Sequence, residues 1–328
     1  MQRTLVPVLA WLALGAAATA ASAAQPLLTP TELQALQSRP ASSAAAPAAA
    51  VVRVIDVRDA KSYAANHIAQ AVNAPYAQWR GPASNPGDPP APAQLTQLVQ
   101  SLGLTAGTHA VVVSSGADTT DFGAAARVYW TLKMLGVKDL SILNGGMQAW
   151  AGAALPQTTE VPTVAASTFQ PVPDARLLAT RAEVQQHVAQ GKAVLVDSRP
   201  DDFYLGKKRA PAAQRAGTLP GAQQLDFNQW FVPGTSTFVD TDTARRIAAQ
   251  VKRKEDQETV AFCNTGHWAA TDWFGLSEVA GLPNVSLYAG SMADWTQDAA
   301  AQVTVHYQPG RGQQLLDSAK GWWQGVRN

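Results

Sequence analysis

The sequence predicts an α/β fold of two tandem domains, each built on a central parallel sheet that is flanked by helices. Short apolar strands alternate with helical segments along the chain, a pattern typical of parallel sheets. A set of motifs in the first half returns in the same order in the second half, which indicates an internal duplication. The length of 328 residues has room for two domains of ordinary size.

The composition is that of a soluble globular protein with large apolar cores, because 46% of the residues are hydrophobic and 15% are charged. The net charge of +1 gives no reason to expect a nucleic-acid partner. A single cysteine excludes an intramolecular disulfide and a cysteine-rich metal site, and none of the five histidines lies at a metal-ligand spacing from another. We therefore expect neither a metal nor a cofactor.

Residues 1–24 have the pattern of a secretory signal peptide. Arg3 supplies the positive start, an apolar run covers 5–18, and small residues at 21–24 offer a cleavage site. The alternative is an uncleaved membrane anchor, but the run is shorter than the ~20 residues that a span needs. We expect export to the periplasm with no membrane association after cleavage. A lone thiol retained in an oxidising compartment favours a chemical role.

Local signals set the elements of the first half. A capping threonine and a proline in the first turn begin a helix at Thr29. The Ala-, Ser- and Pro-rich residues 40–50 form a low-complexity insert. Apolar runs predict strands, and a segment dense in Pro and Gly predicts a loop. The remaining predicted elements are a strand at 51–58, a loop at 79–92, a strand and turn at 110–116, a helix at 122–135 and a strand at 140–143.

Residues 156–173 carry four prolines and few large apolar side chains, which indicates a linker between domains. The chain after the signal is therefore divided into a first domain at 25–155, a linker at 156–175, a second domain at 176–305 and a tail at 306–328. Paired tryptophans near the chain end suggest that the tail packs on the second domain.

The duplication allows the two halves to be compared position by position. Asp56-Val57-Arg58, at the end of an apolar strand, returns as Asp197-Ser198-Arg199, and a Gly-containing turn that ends in Trp occurs in both halves. Cys263 falls at or next to the position of Ser115, where the first half has no thiol. Only the second copy therefore holds a sulfur nucleophile.

Cys263 is the residue around which the second domain is organised. An apolar run ends at this cysteine, a short polar loop that contains Gly266 follows, and the next segment has helical character. Backbone N–H groups converge on such a strand-to-helix turn, and the positive end of the helix dipole points at it. Such a position holds extra negative charge on sulfur, so we interpret Cys263 as a covalent nucleophile.

These motifs resemble the rhodanese sulfurtransferases, with two tandem α/β domains, Asp-x-Arg after an early strand, and one cysteine loop in the second copy. The resemblance implies a five-stranded parallel sheet in each domain with helices on both faces. It implies a two-step exchange in which Cys263 takes the outer sulfur of a donor such as thiosulfate and passes it to cyanide or a thiol. The amides from Asn264 to Trp268 would cradle the persulfide, and Gly266 would permit the turn that aims them inward.

The loop sequence leaves the sulfur donor open. Rhodanese-like phosphatases use a longer loop closed by an arginine, and the lack of Arg or Lys from the cysteine to Gly290 argues against that activity. Thiosulfate enzymes of the family carry cationic side chains in the loop, and mercaptopyruvate enzymes carry Gly, Ser or Thr followed by Gly-Val-Thr. Thr265 and Gly266 favour the mercaptopyruvate type. His267 would supply a positive charge whenever its ring is protonated, and Trp268 departs from both types.

The resemblance implies further site residues. Arg215 matches an arginine ahead of the family's Gly-His-Ile-Pro-Gly-Ala turn, and would bind the anionic donor or form a structural ion pair. Asp197 and Arg199 are expected to give structural support by tying the strand end to the loop. The basic run 207–209 would steer anions or form a solvated face, and His67 is expected to be structural. The aromatic side chains that would line the pocket or lie in the core are Phe203, Tyr204, Trp230, Phe231 and Trp268.

We predict a periplasmic thiosulfate sulfurtransferase with a small anionic donor and a cyanide or thiol acceptor. Thiosulfate is preferred because an exported enzyme meets inorganic sulfur compounds more readily than a cytoplasmic metabolite. The alternatives are a 3-mercaptopyruvate sulfurtransferase and a non-catalytic sulfur carrier or thiol sensor. The sequence leaves the oligomeric state open.

Overall fold

The structure, a computed structural model, describes residues 24–38 and 51–308. The predicted signal peptide up to residue 23, the low-complexity insert at 40–50 and the tail after 308 lie outside the described residues. Within the described ranges, no helix combines the length and the apolar character that a membrane crossing requires.

The first half folds around a five-stranded parallel sheet with the strand order β1-β5-β4-β2-β3. Its strands are β1 Leu27–Leu28, β2 Val52–Asp56, β3 Val72–Asn73, β4 His109–Val113 and β5 Asp139–Leu143. Its α-helices are α1 Pro30–Gln37, α2 Ala60–Ala65, α3 Pro92–Ser101, α4 Thr119–Met134 and α5 Gly146–Gly152. The strands predicted from the apolar runs and the helix predicted after β4 are confirmed, with boundaries that differ by a few residues.

Helix α1 begins where the capping signals place it. The side chain of Thr29 accepts a hydrogen bond from the backbone N–H of Glu32, and the Glu32 carboxylate accepts one from the backbone N–H of Thr29 at 2.8 Å. This reciprocal pair satisfies two N–H groups that have no partner inside the helix. Pro30 occupies the first turn, where its missing N–H costs nothing.

The second half folds around a four-stranded parallel sheet with the strand order β7-β6-β8-β9. Its strands are β6 Val194–Asp197, β7 Gln223–Gln224, β8 Thr259–Phe262 and β9 Val285–Leu287. Its α-helices are α6 Arg181–Gln190, α7 Asp201–Tyr204, α8 Thr241–Ala248, α9 Trp268–Trp273 and α10 Ser291–Trp295. A π-helical segment, Phe274–Val279, continues α9.

The fifth strand expected in the second half is reduced to a single bridge. Leu178 pairs in parallel with Leu287 as an isolated bridge, whereas β1 pairs two residues with β5. A 3-10 turn, Ala175–Leu177, directly precedes Leu178 and leaves one extended residue for pairing. The expectation of five strands is therefore correct for the first half and wrong for the second.

The two halves share one apolar core, in which α4 of the first half packs on α9 of the second. Phe122 packs edge-on against Phe231 with 5.4 Å between the ring centroids. At the rim of this contact, Tyr129 Oη and Lys133 Nζ donate to Glu278 Oε2 at 2.8 and 2.6 Å. The first half therefore lies directly against the segment that follows β8.

Candidate active site

Cys263 lies in the first position after β8, at the carboxyl end of the second sheet. Only 1% of its surface is exposed, so its thiol is shielded from bulk solvent. The backbone N–H groups of Met292 and Ala293 donate to the carbonyls of Cys263 and Asn264 at 3.1 and 2.9 Å. The start of α10 therefore holds the start of the cysteine loop.

A buried hydroxyl group organises the loop. Ser291 Oγ accepts hydrogen bonds from the backbone N–H groups of Cys263 and Gly266, at 3.0 and 3.1 Å, and donates to the carbonyl of Tyr288 at 2.8 Å. Ser291 is completely buried. These bonds draw two loop residues toward one oxygen atom and so fold the loop into a turn.

Four amides of the loop have no acceptor. The backbone N–H groups of Asn264, Thr265, His267 and Trp268 make no hydrogen bond to the part of the chain that the structure describes. The expected turn is present at Gly266, whose φ is 68°. A Cβ there would clash with the carbonyl oxygen of Ala289. The turn therefore leaves amide donors available to an anion, as a persulfide site requires.

Asp197 and Arg199 link the end of β6 to the cysteine loop through side-chain hydrogen bonds. Arg199 Nε and Nη2 donate to the two Asp197 carboxylate oxygens at 2.8 and 2.6 Å, and both residues are buried. Arg199 Nη1 also donates to Asn264 Oδ1 at 3.3 Å. These hydrogen bonds connect the end of β6 to the cysteine loop, and the supporting role of Asp197 and Arg199 stays a prediction.

His267 is neutral in this site. Its Nε2 lies 2.7 Å from the carbonyl of Thr120, and its Nδ1 lies 2.9 Å from Tyr76 Oη. Because a carbonyl only accepts, Nε2 carries the proton and Nδ1 accepts from the tyrosine hydroxyl. Burial lowers the pKa of His267 to about 4. The positive charge expected of His267 is therefore wrong at neutral pH.

Trp268 forms an aromatic wall beside the loop. Its indole stacks on Phe227 with 4.9 Å between centroids and a 7° angle between planes, and it meets Phe203 edge-on at 5.9 Å. Two other aromatic residues predicted to line the pocket pack away from the cysteine loop. Trp230 donates to a buried carboxylate, and Phe231 belongs to the shared core. Sequence reasoning missed Phe227.

The predicted cations of the second half are engaged away from the cysteine loop. Arg215 Nη2 and Nη1 donate to the carbonyls that follow α10, at 2.6 and 3.3 Å, so donor binding by Arg215 stays a prediction without a contact to support it. Lys207 and Lys208 pair with the half-exposed carboxylate of Asp202. Tyr204 donates to the carbonyl of residue 222, outside the loop.

His67 is fully buried in the first half. Its ring nitrogens meet the carbonyls of Tyr63 and Glu160 at 2.8 and 3.0 Å. The ring also stacks on Tyr63 with 3.9 Å between centroids. These contacts fit the structural role that was expected of it.

The structure adds three residues of the first half that the sequence did not indicate: Tyr76, Arg80 and Arg127. Arg127 is fully buried, and its Nη1 and Nη2 donate to the carbonyls of Gly266 and Gly87 at 3.2 and 2.6 Å. Arg80 Nη1 donates to Tyr76 Oη at 2.9 Å. An arginine among small and apolar residues in the middle of helix α4 was the one available signal, and it pointed to Arg127 alone.

The first half has a loop at the position that corresponds to the cysteine loop, and an acidic side chain occupies it. Asp56 is in register with Val113, and Asp197 with Phe262, so Ser114 corresponds to Cys263, next to the predicted position of Ser115. In this loop the carboxylate of Asp121 accepts from the N–H of Gly116 at 2.7 Å. An acidic side chain therefore fills the position that an anion would take.

The chemistry available at the second-half loop is that of one thiol among hydrogen-bond donors. Within residues 24–38 and 51–308, no three His, Cys, Asp or Glu side chains form a group that could hold a metal ion. A thiolate and its persulfide are anions, and free amides, a helix start and the buried Arg127 all favour anions.

Comparison with known proteins agrees with this geometry. The family described as Rhodanese-like domain matches residues 29–153 and 180–298. The chain is 32% identical over 217 residues to a probable 3-mercaptopyruvate sulfurtransferase of Pseudomonas aeruginosa, covering 66% of this chain and 74% of that protein. It is 30% identical over 212 residues to the sulfur carrier protein TtuD of Thermus thermophilus, with coverages of 62% and 73%.

A vertebrate relative and a solved structure extend the comparison. The chain is 29% identical over 218 residues to a thiosulfate sulfurtransferase of Cricetulus griseus, covering 66% of this chain and 72% of that protein. It superposes on the anaerobic ergothioneine biosynthesis enzyme of Chlorobium limicola with a TM-score of 0.73 at 20% identity, covering 86% of this chain and 70% of that one. At this identity, the superposition supports the fold alone.

Proposed function

This chain belongs to the rhodanese family as a sulfurtransferase with two tandem rhodanese-like domains, and we propose that it moves the sulfane sulfur of thiosulfate to a thiophilic acceptor. The observation that carries the proposal is the loop of Cys263. It presents a thiol beside four amides that have no other acceptor among the described residues. Such a site stabilises sulfur anions.

The proposed reaction has two displacements on sulfur. The Cys263 thiolate attacks the outer sulfur of thiosulfate, a new S–S bond forms, and the original S–S bond breaks with its electron pair leaving on sulfite. The acceptor then attacks the terminal sulfur of the Cys263 persulfide and releases the thiolate. Cyanide becomes thiocyanate, and a thiolate acceptor becomes a persulfide, so no external oxidant or reductant is needed.

The chain's own residues hold this chemistry in place. Ser291 fixes the turn through the amides of Cys263 and Gly266. The free amides from Asn264 to Trp268 would donate to the terminal sulfur of the persulfide. Shielding of Cys263 from bulk solvent limits side reactions of the persulfide, because competing nucleophiles and oxidants reach it less easily.

Two observations favour mercaptopyruvate as a second candidate donor. Thr265 and Gly266 follow the mercaptopyruvate pattern, and the loop itself carries no cation. The relative from Pseudomonas aeruginosa is named for that donor, whereas the relative from Cricetulus griseus is named for thiosulfate. A carrier role is the third candidate, and the relative from Thermus thermophilus is named as a carrier.

Steady-state assays with purified protein test the proposal. Thiocyanate formation from thiosulfate and cyanide over many turnovers supports a thiosulfate sulfurtransferase, and faster turnover with mercaptopyruvate assigns that donor instead. A carrier would load one sulfur per Cys263 and stop. Mass spectrometry of the Cys263 peptide, with one added sulfur atom after donor treatment and none after cyanide, identifies the intermediate.

We also propose that the chain is exported, because residues 1–24 have the pattern of a signal peptide. Fractionation of bacterial cells that express the full chain tests this point. A periplasmic product that begins near residue 25 is expected. Recovery of the uncut chain from the cytoplasm would contradict export and leave the reaction untouched.

A further inference from the structure

The proposed donor is an anion, but the cysteine loop lacks a cationic side chain. No Arg or Lys lies between Cys263 and Gly290. His267 is neutral near pH 7, and both of its ring nitrogens are already engaged. A positive charge for the donor must therefore come from another part of the chain.

A directed chain of hydrogen bonds links Arg80 of the first half to the loop. Arg80 Nη1 donates to Tyr76 Oη at 2.9 Å, and the Tyr76 hydroxyl donates to His267 Nδ1 at 2.9 Å. The carbonyl of Thr120 completes the chain by accepting from His267 Nε2. The Arg80 guanidinium is thus two hydrogen bonds from a residue of the cysteine loop.

Arg80 retains donors for a ligand. It is partly buried, and no carboxylate of the described residues pairs with it. Its other contact is with the ring of Tyr76, whose centroid lies 5.3 Å from the guanidinium carbon. One edge of the guanidinium is therefore free to make the paired hydrogen bonds that oxyanions and carboxylates accept.

A second unneutralised arginine lies beside the loop. Arg127 is 0% exposed, makes hydrogen bonds to two carbonyls, and has a buried Nε without a partner among the described residues. Burial lowers its pKa to about 10, so it remains charged at neutral pH. Asp88 interacts with this charge from a distance, without an ion pair among the described residues. Two positive charges at one domain contact favour a bound anion.

We propose that the first half supplies the donor-binding cation of the reaction, with the Arg80 guanidinium binding the anionic end of the sulfur donor beside Cys263. Arg127 acts as a positioning residue, because it holds the Gly266 carbonyl and adds fixed positive charge. The half that lacks the nucleophile thus contributes the positive charge that binds the anionic substrate. This inference rests on the proposed function.

Kinetics of Arg80 variants test the proposal in the full-length protein. Arg80→Gln is expected to raise KM for thiosulfate about 10- to 100-fold with kcat changed less than about threefold, because a charge-assisted contact to the donor is lost. Arg80→Lys is expected to recover part of the loss. Inhibition by sulfite, the anionic product, should weaken with KM. Arg176→Gln is the matched control, because Arg176 is exposed and pairs with Asp174.

A binding measurement separates donor affinity from chemistry. Thiosulfate is titrated calorimetrically into Cys263→Ser and into Cys263→Ser/Arg80→Gln, with thermal unfolding as a check on folding. At least tenfold weaker binding in the double variant supports the proposal. Equal affinity, or a loss confined to kcat, overturns it.

The wild-type result keeps the two proposals apart. If wild-type protein turns over thiosulfate while Arg80→Gln behaves like Arg176→Gln, the proposal that Arg80 binds the donor is wrong. The sulfurtransferase assignment then stands. If wild-type protein turns over only mercaptopyruvate, the same variants are measured with that anion and the same tenfold criterion applies. If wild-type protein binds neither donor, both proposals fall.

Discussion

Ser291 occupies in the second half the position that Gly146 occupies in the first, and both residues have a left-handed backbone, with φ of 54° and 57°. The correspondence follows from the next residue in each half, since the N–H of Met292 donates to Cys263 and that of Met147 donates to Ser114. A left-handed serine is disfavoured relative to glycine by roughly 1 kcal/mol. The hydrogen bonds between the Ser291 hydroxyl and the cysteine loop offset this backbone strain in the second half.

Substitutions of Ser291 should distinguish the energetic cost of its left-handed backbone from the contribution of its hydroxyl to the loop. Ser291→Ala and Ser291→Gly both remove the acceptor for two buried amides, so both should lower kcat and destabilise the fold by about 1–3 kcal/mol. Glycine accepts the left-handed backbone, so Ser291→Gly should be about 1 kcal/mol more stable than Ser291→Ala. Urea unfolding and sulfur-transfer assays measure both effects. Full activity in either variant would show that the hydroxyl does not organise the loop.

Replacement of the nucleophile should abolish the reaction and leave the fold intact. Cys263→Ser removes the only thiol, so no persulfide forms and sulfur transfer should fall to background. The first half tolerates a serine at the corresponding position, Ser114, which is buried as well. Thermal unfolding should therefore change little. Transfer that persists in this variant would count against the assignment.

His267 should make the protein less stable in mild acid. Its pKa is lowered from 6.5 to about 4 in the fold, so between these values the unfolded chain binds a proton that the folded chain does not. The free energy of unfolding should therefore fall as pH decreases from 6.5 to 4, by roughly 1–3 kcal/mol from this group. In His267→Gln this component should disappear, as urea unfolding across this range would reveal. An identical pH slope in both proteins would contradict the assignment.

Asp272 should destabilise the protein as pH rises. It is fully buried, accepts from Trp230 Nε1 at 2.8 Å, and burial raises its pKa well above 3.8. The folded form therefore holds a proton that the unfolded chain releases above pH 3.8, and stability is lost as pH rises toward the folded pKa. Asp272→Asn should be more stable than wild type at pH 7 by at least about 1 kcal/mol. The difference should shrink toward pH 4 in thermal unfolding, and a less stable variant at pH 7 would refute the idea.

The parts of the site that follow from local sequence were predictable. The strand before Cys263, the turn at Gly266 and the Asp197–Arg199 pair each depend on residues close in the chain or repeated in the duplicate copy. The duplication also located the serine that replaces the nucleophile to within one residue. Periodicity and turn chemistry act over short distances, so a single sequence reveals them.

The contributions of the first half were not predictable from the sequence. Tyr76 meets the loop of Cys263, and Arg80 is linked to the loop through Tyr76, only because two domains dock. No local pattern encodes that contact. The neutral state of His267 has the same origin, since its ring partners, Tyr76 and Thr120, lie in the first half. Resemblance pointed instead to Arg215, whose guanidinium is occupied by carbonyls after α10.

The hydrogen bond from Arg127 to the carbonyl of Gly266 makes the shape of the cysteine loop depend on the first half. Domains emerge and fold in order from the amino terminus, so the half without a thiol is in place first. The cysteine loop attains its final shape only when its own half docks on that platform. We therefore expect that a nascent or truncated chain whose two halves have not docked lacks the final loop geometry and transfers no sulfur.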